Sequence, residues 1–246
     1  YITKSGYRQD DFKPYVFRTR DFGKTWENIS GGLPDAPVSV ICEDRINPDL
    51  LFLGNDIGVY FSLDGGKSWL PLKNNMPTLP VRDLLVHPRE QDLVVGSYGR
   101  GVWVTSIAPL QELKSPVLDK PFHLFRIIDK PVNNMSQRAR WGNYHMTGSN
   151  HLRTDNEREG LQLFYYIREK RDKPLDVIIE DLEGNPIAKF KSQRDPGIHK
   201  TTWNLRERIP GTYRIILTDG DTREEQKGTL LPPICWPVGN PDDFRN

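Results

Sequence analysis

An eight-residue string that occurs twice at a fixed spacing constrains the fold of this 246-residue chain more than any other feature. "TRDFGKTW" occupies residues 19–26 and "SLDGGKSW" occupies residues 62–69, so matched positions lie 43 residues apart. A third copy, "GVWVTS" at 101–106, follows "GVYFSL" at 58–63 by the same 43 residues but lacks the Asp, Gly and Trp. A period of this length is typical of repeat architectures. The chain therefore carries two and a half copies of one unit.

Each repeat is predicted to contain four short strands. In the middle copy, residues 38–43, 50–54, 58–62 and 68–72 are rich in β-branched and aromatic side chains, and turn signals separate them. Four antiparallel strands per 43 residues predict blades of a β-propeller, with an ordinary β-sandwich as the alternative. The 20 Pro, 20 Gly and 10% aromatic residues fit such a β-rich, turn-rich chain. We assign residues 1–109 to propeller blades.

The matched residues of the two strings are predicted to fasten surface turns. Glycines supply the positive φ of a tight hairpin, and an Asp carboxylate accepts hydrogen bonds from the backbone of its own turn. The hydroxyl residues add a further bond, and both Trp rings are expected to be buried between blades. This structural role is favoured over that of a catalytic acid. The residues concerned are Thr19, Asp21, Gly23, Thr25 and Trp26, with Ser62, Asp64, Gly65, Gly66, Ser68 and Trp69 in the second string.

The pattern Ser/Thr-x-Asp-x-Gly-x-Ser/Thr-Trp resembles the Asp-box, also called the bacterial neuraminidase repeat, over residues 15–109. The box occurs in sialidases, xyloglucan-type glycoside hydrolases, sortilin-type receptors and other secreted propellers. It belongs to the scaffold in all of them, so the resemblance implies a fold and not an activity. "GSYGRGVWV" at 96–104 is similar to a last-blade segment of the sortilin and xyloglucanase-like branch. The resemblance also implies an extracellular, cell-surface or periplasmic location.

The second half of the chain is predicted to form another domain. Residues 110–160 are interpreted as a linker, in which "FHLFRIID" at 122–129 can supply a closing strand for the propeller. Five strand-like runs at short, regular spacing then predict a β-sandwich over residues 161–232, and residues 233–246 form a tail.

The sandwich region resembles the immunoglobulin-like domain that follows such propellers in bacterial proteins, and the similar domain of flagellar hook-cap proteins. Trp203, Pro210, Gly211 and Tyr213 carry the resemblance. It implies packing and turning roles for these four residues.

A long segment without apolar periodicity, "RARWGNYH" and its surroundings, is the predicted binding loop. Its candidate residues are Arg138, Arg140, Trp141, Tyr144 and His145. Arginine beside aromatic rings suits sugar stacking, a protein contact or single-stranded nucleic acid, although interdomain packing is the favoured role for these residues. The balance of 34 Lys plus Arg against 33 Asp plus Glu argues against nucleic acid.

No catalytic residue, metal site or cofactor is assigned. His145 and His151 with Asp155, Glu157 and Glu159 lack metal-ligand spacing, so a solvated loop is favoured. Nothing matches the arginine triad and nucleophilic Tyr of sialidases or the carboxylate pair of other glycosidases. Two and a half blades are also too few to close a propeller, which typically takes at least four.

The two cysteines and the apolar content add little about function. Cys42 and Cys235 are favoured as free thiols over a bridge. No apolar run is long enough for a membrane span.

Three functions are therefore weighed for the chain. The favoured one is a non-catalytic binding or scaffold portion of a larger Asp-box propeller protein, recognising protein or glycan. The first alternative is part of a glycoside hydrolase whose carboxylates lie upstream. The second is a structural subunit whose exposed blade edges pair with other chains.

Overall fold

A computed structural model describes residues 1–73, 75–132, 160–203 and 209–232. The chain is mostly β, as predicted, and divides into two compact units, Tyr1–Leu118 and Asp119–Asn246. No described helix is long and apolar enough to cross a membrane.

The first unit contains three antiparallel sheets that follow one another along the chain. Their orders are β1-β2-β3, β4-β5-β6-β7 and β10-β9-β8, and two short helices follow. The elements are β1 (Ile2–Gly6), β2 (Asp11–Arg18), β3 (Glu27–Asn28), β4 (Val38–Glu43), β5 (Leu51–Asn55), β6 (Gly58–Ser62), β7 (Leu70–Pro71), β8 (Val81–Val86), β9 (Asp92–Ser97), β10 (Val102–Ser106), α1 (Ala108–Glu112) and α2 (Ser115–Leu118).

The middle sheet confirms the four strands predicted for the middle repeat. The first and third have the predicted bounds, and the second is displaced by one residue. The fourth contracts to Leu70–Pro71. Alternating and β-branched residues between turn signals are therefore sufficient to locate these strands.

The 43-residue spacing is also a repeat of the backbone. An irregular register occurs between Val38 and Val40 in the second sheet and between Val81 and Asp83 in the third, at matching positions. The backbone N–H of Ile29 donates to the Val16 carbonyl at 2.9 Å, and that of Leu72 donates to the Val59 carbonyl at 2.8 Å. The second bond lies 43 residues after the first at both ends.

Successive sheets of this unit contact each other through β4, which packs against β1 and β8. A Cβ on Gly54 would lie only 2.5 Å from Cγ1 of Val81. Glycine at this position therefore allows β5 to approach β8 of the next sheet.

The predicted closing strand is wrong. Phe122–Leu124 forms a strand, β11, but it pairs with Leu161–Ile167 in the second unit and with no described strand of the repeats. Its three residues are buried there, so apolar burial in the second unit determines its partner. The third sheet has no fourth described strand, because α1 and α2 occupy residues 108–112 and 115–118.

The second unit consists of two sheets, with orders β11-β13-β16 and β12-β18-β17-β14-β15. All five predicted strand runs coincide with strands, whereas β11, β12 and β15 were not predicted as strands of this unit. The elements are β11 (Phe122–Leu124), β12 (Lys130–Pro131), β13 (Leu161–Ile167), β14 (Asp176–Glu180), β15 (Pro186–Lys191), β16 (Gly197–Trp203), β17 (Gly211–Thr218) and β18 (Arg223–Leu231).

The core of the second unit is built from alternate residues of its strands. Leu161, Leu163 and Ile167 of β13 are fully buried, and Ile179 and Ile215 belong to the same apolar cluster. This burial of every second residue is the pattern expected of a sheet with one covered face.

Tyr213 joins this core to the backbone that precedes its strand. Its ring meets the Trp203 ring edge-on, with centroids 4.8 Å apart, and its hydroxyl donates to the Ile209 carbonyl at 2.9 Å. The packing role expected of Trp203 and Tyr213 is therefore present.

Removing the hydroxyl in Tyr213→Phe is expected to lower the free energy of unfolding of the second unit by about 1 kcal/mol, because one hydrogen bond is lost while the ring stays packed. Urea denaturation of the wild type and the variant measures the difference. Tyr166→Phe, in the other sheet of the same unit and with a partly exposed side chain, is the control. Equal losses in the two variants would contradict the assigned role.

Candidate functional site

The first of the two repeated loops, residues 19–26, is organised around one carboxylate. We call it loop 1. Asp21 accepts hydrogen bonds from the Thr19 hydroxyl at 2.8 Å and from the Thr25 N–H at 2.8 Å and hydroxyl at 2.7 Å. The Thr19 oxygen in turn accepts the Gly23 N–H at 2.8 Å. Both carboxylate oxygens are thus used inside the loop.

Residues 62–69, called loop 2, repeat this arrangement bond for bond. Asp64 accepts from the Ser62 hydroxyl at 2.7 Å and from the Ser68 N–H at 2.9 Å and hydroxyl at 2.6 Å. The Ser62 oxygen accepts the Gly66 N–H at 2.8 Å. The hydrogen bonds predicted from the residue types are present in both loops.

These bonds also set the charge state of the two carboxyls. Donation from the Thr25 hydroxyl and N–H, and then from Thr19, lowers the pKa of Asp21 from 3.8 to about 2. Burial raises the pKa of Asp64, but donation from Ser68 and Ser62 outweighs it, so that pKa also lies below its ordinary value. A general acid needs a proton near neutral pH, and neither carboxyl holds one.

The two loops differ at one backbone position. Gly23 and Gly66 have φ of +87° and +89°, as predicted for tight turns. The preceding residue is Gly65 in loop 2, with φ +70°, but Phe22 in loop 1, with φ +58°. A bulky residue in this region is strained, and the Phe22 side chain is fully exposed at 105%. Phe22 was not among the residues predicted from the sequence, although its alignment with Gly65 indicates the positive φ.

The two tryptophans also differ, and the predicted burial is right for only one. Trp69 is 7% exposed, packs with Ile29, and donates its indole N–H to the Ile29 carbonyl at 2.7 Å. Trp26 is 43% exposed and donates to the Gly23 carbonyl of its own loop at 3.1 Å. The prediction for Trp26 is wrong. Trp69 is buried by residues of the preceding sheet, and no described sheet precedes β1 to β3 to bury Trp26 in the same way.

A buried cation adds a second connection between the first sheet and loop 2. Arg18, at the end of β2, is 8% exposed and donates to the Gly65 carbonyl and, at 2.7 Å, to Glu27. Arg18 could not be predicted from the sequence, because nothing in an isolated Arg indicates that it will be buried.

Most of the other predicted site residues lie outside the described part of the chain. The binding-loop residues in this group are Arg138, Arg140, Trp141, Tyr144 and His145. The others are His151, Asp155, Glu157 and Glu159, which were weighed as metal ligands, and Cys235. Cys42 is a free, half-buried thiol, and burial raises its pKa to about 12. Among the described residues, no three His, Cys, Asp or Glu side chains are grouped to hold a metal ion.

One open depression of about 970 Å³ lies in the second unit, lined by residues 168–174 and by charged side chains around them. Its lining carries both signs of charge, and two ion pairs join lining residues. Arg171 contacts Asp219 at 2.7 Å, and Lys191 contacts Asp176 at 2.6 Å. Opposite charges in near balance give the depression no preference for either sign of ligand.

Comparison with known proteins adds no relative. No protein-family model matches the chain, and no curated protein matches it at a significant level.

Trp69→Ala is expected to lower the free energy of unfolding of the first unit by about 3–5 kcal/mol, the usual cost of removing a buried aromatic side chain. Trp26→Ala is expected to cost less than about 1 kcal/mol, because its ring is largely exposed. Urea denaturation of both variants measures the difference. An equal loss of unfolding free energy in the two variants would contradict the conclusion that only Trp69 packs against the neighbouring sheet.

Acidification is expected to destabilise the first unit through Asp21. The folded carboxyl has a pKa of about 2 against an ordinary 3.8, so the unfolded chain takes up the proton first as the pH falls. The stabilisation is complete above about pH 4 and is lost toward pH 2. Urea midpoints measured from pH 5 to 2 should fall less steeply for Asp21→Asn than for the wild type. Asp35→Asn, an exposed residue outside both loops, is the control and should follow the wild type.

Proposed function

We propose that the first unit is a section of an Asp-box β-propeller and that the second is an immunoglobulin-like sandwich. The matching loops, the 43-residue period and the three successive antiparallel sheets support the first assignment. The bond from the Tyr213 hydroxyl to the Ile209 carbonyl supports the second, since a tyrosine that binds backbone just upstream is typical of such sandwiches.

We infer that the chain is a non-catalytic binding or scaffold portion of a larger extracellular or periplasmic propeller protein, which recognises protein or glycan. One observation carries this proposal. Both carboxylate oxygens of Asp21 and of Asp64 accept hydrogen bonds from their own loops. The two carboxylates therefore stabilise turns and are not available to a substrate. Loops held on rigid sheets are suited to recognition.

The proposed contact region is the loop of Arg138, Arg140, Trp141, Tyr144 and His145. A Trp and a Tyr offer flat faces for stacking on a sugar ring or a protein side chain. Arginine adds fork-shaped donors for a carboxylate or hydroxyl groups.

Calorimetry with sialyllactose and with xyloglucan oligosaccharides, paired with assays for their hydrolysis, tests the proposal. We expect saturable binding of one probe without release of product. Hydrolysis would overturn the non-catalytic function in favour of the glycoside hydrolase alternative, and absence of binding to both probes would remove the glycan form of the proposal.

The double variant Arg138→Ala/Trp141→Ala tests the loop itself. We expect it to weaken binding of the bound probe at least tenfold, the effect of losing about 1.4 kcal/mol of contact energy. Tyr98→Ala, which removes an exposed aromatic residue from the first unit, is the matched control and should bind as the wild type does. Unchanged affinity in the double variant would exclude this loop as the site.

Assembly with other chains is a second candidate function, favoured by β10. This strand lies at the edge of its sheet, and Val102 and Val104 are 69% and 62% exposed. Exposed apolar edge strands readily pair with further strands. Sedimentation at rising concentration tests it, since a monomer at every concentration would argue against self-pairing through this edge.

A further inference from the structure

We propose that loop 1 carries a docking surface for a further 43-residue repeat of the same kind, formed by Phe22, Gly23 and Trp26. We call these three residues the loop-1 face. The inference rests on the proposed function in one respect, the larger propeller, and names the partner of one surface.

Loop 2 shows how such a loop receives the sheet before it. The Trp69 indole binds the Ile29 carbonyl, and a Cβ on Gly66 would lie 2.9 Å from Cδ1 of Ile29. A Cβ on Gly65 would lie 3.0 Å from Nη1 of Arg18. All three positions of loop 2 therefore face residues of the preceding sheet.

Loop 1 has the same geometry as loop 2, on an equivalent hairpin. The β2–β3 pairs Phe17 with Asn28 and Arg18 with Glu27 lie 43 residues before the β6–β7 pairs. The hydrogen bonds that close the loops around Asp21 and Asp64 correspond one to one, and the φ angles of the paired glycines agree to 2°. Only the indole bonds differ, since Trp26 donates back to Gly23 of its own loop where Trp69 donates to Ile29. The backbone of loop 1 therefore occupies the position on its hairpin from which loop 2 meets the sheet before it.

The loop-1 face has the properties of an unfilled contact. Trp26 is 43% exposed where Trp69 is 7% exposed, and Phe22 is fully exposed. A Cβ on Gly23 would approach only the Trp26 ring of the same loop, at 3.7 Å. The positive φ of Phe22 costs conformational energy, and the exposed ring makes no contact within loop 1 that would offset this cost. Backbone strain of this kind is characteristic of sites of contact.

Loop 2 also defines the chemistry of the partner. The partner must offer a branched aliphatic side chain and a main-chain carbonyl at the position equivalent to Ile29, just after its short last strand. It should also offer a cation at the position of Arg18, which could lie over the Phe22 ring. The repeats of this chain meet the first requirement, because Leu72 follows β7 with the backbone bond that Ile29 makes after β3.

The test is a tandem variant in which residues 10–50 are duplicated ahead of Tyr1. The added copy supplies β2, loop 1, β3, Ile29 and β4. The added β4 can then pair with the native β1, in the way that the native β4 pairs with β5. It carries Trp26→Phe, so that only the native Trp26 is followed. Oxidation of each Trp by hydroxyl radicals is then read by mass spectrometry.

In the parent chain we expect Trp26 to be oxidised much faster than Trp69, and in the tandem variant we expect its rate to fall to that of Trp69. The control is the same tandem with Ile29→Asp in the added copy alone, which should leave Trp26 as reactive as in the parent. Undiminished oxidation of Trp26 in a folded tandem variant would overturn the proposal.

A second measurement uses the parent chain and does not depend on folding of the added copy. Phe22→Gly should raise the melting temperature of the first unit, because it removes strain without removing a contact. Trp26→Ala should leave that temperature nearly unchanged. A loss in Trp26→Ala as large as in Trp69→Ala would show that the ring serves this chain itself and would overturn the proposal. Protection of Trp26 with no ligand bound by the chain would retain the docking surface while rejecting the glycan-binding function.

Discussion

Closure of each loop by a single carboxylate is the interaction on which the first unit depends. Asp21 and Asp64 each gather two hydroxyl groups and one backbone N–H, which fixes a turn that would otherwise have many conformations. A fixed turn determines where the following Trp leaves its hairpin, from which the Trp69 indole reaches Ile29 while the Trp26 indole binds its own loop. The contact between neighbouring sheets then follows from the turn, since a Trp so placed meets the residue after the preceding short strand.

The contact between the first two sheets combines apolar burial with polar bonds that cross from one repeat to the next. Trp69 lies in a cluster with Val16, Ile29 and Leu51, and Arg18 reaches the backbone of loop 2 from the other repeat. Burial supplies most of the stabilisation, while the bonds to carbonyl groups fix the orientation. Apolar burial and a bond to a carbonyl are also combined in the second unit. The Tyr213 ring packs against Trp203, and its hydroxyl donates to the Ile209 carbonyl.

Residue types and spacing predicted the local structure well, and contacts between distant elements poorly. The strands of the middle repeat and the loop hydrogen bonds depend on neighbours in the sequence, so they could be predicted. The exposure of Trp26 could not be predicted, because an equivalent loop is buried or open according to the sheet beside it. The pairing of Phe122–Leu124 with Leu161–Ile167 was missed because nothing near residue 122 indicates a partner some 40 residues away. Residues 133–159, where the binding loop was predicted, lie outside the described residues.

The bond from the Trp69 indole to the Ile29 carbonyl has a consequence for how such repeats diverge. The indole recognises the main chain of its neighbour, and every amino acid supplies the same carbonyl. Ile29 can therefore change to another aliphatic residue without loss of this bond, whereas inserting one residue between the strand and the carbonyl would displace the acceptor. The bond therefore constrains the number of residues between the short last strand and the acceptor more than it constrains the residue type at position 29.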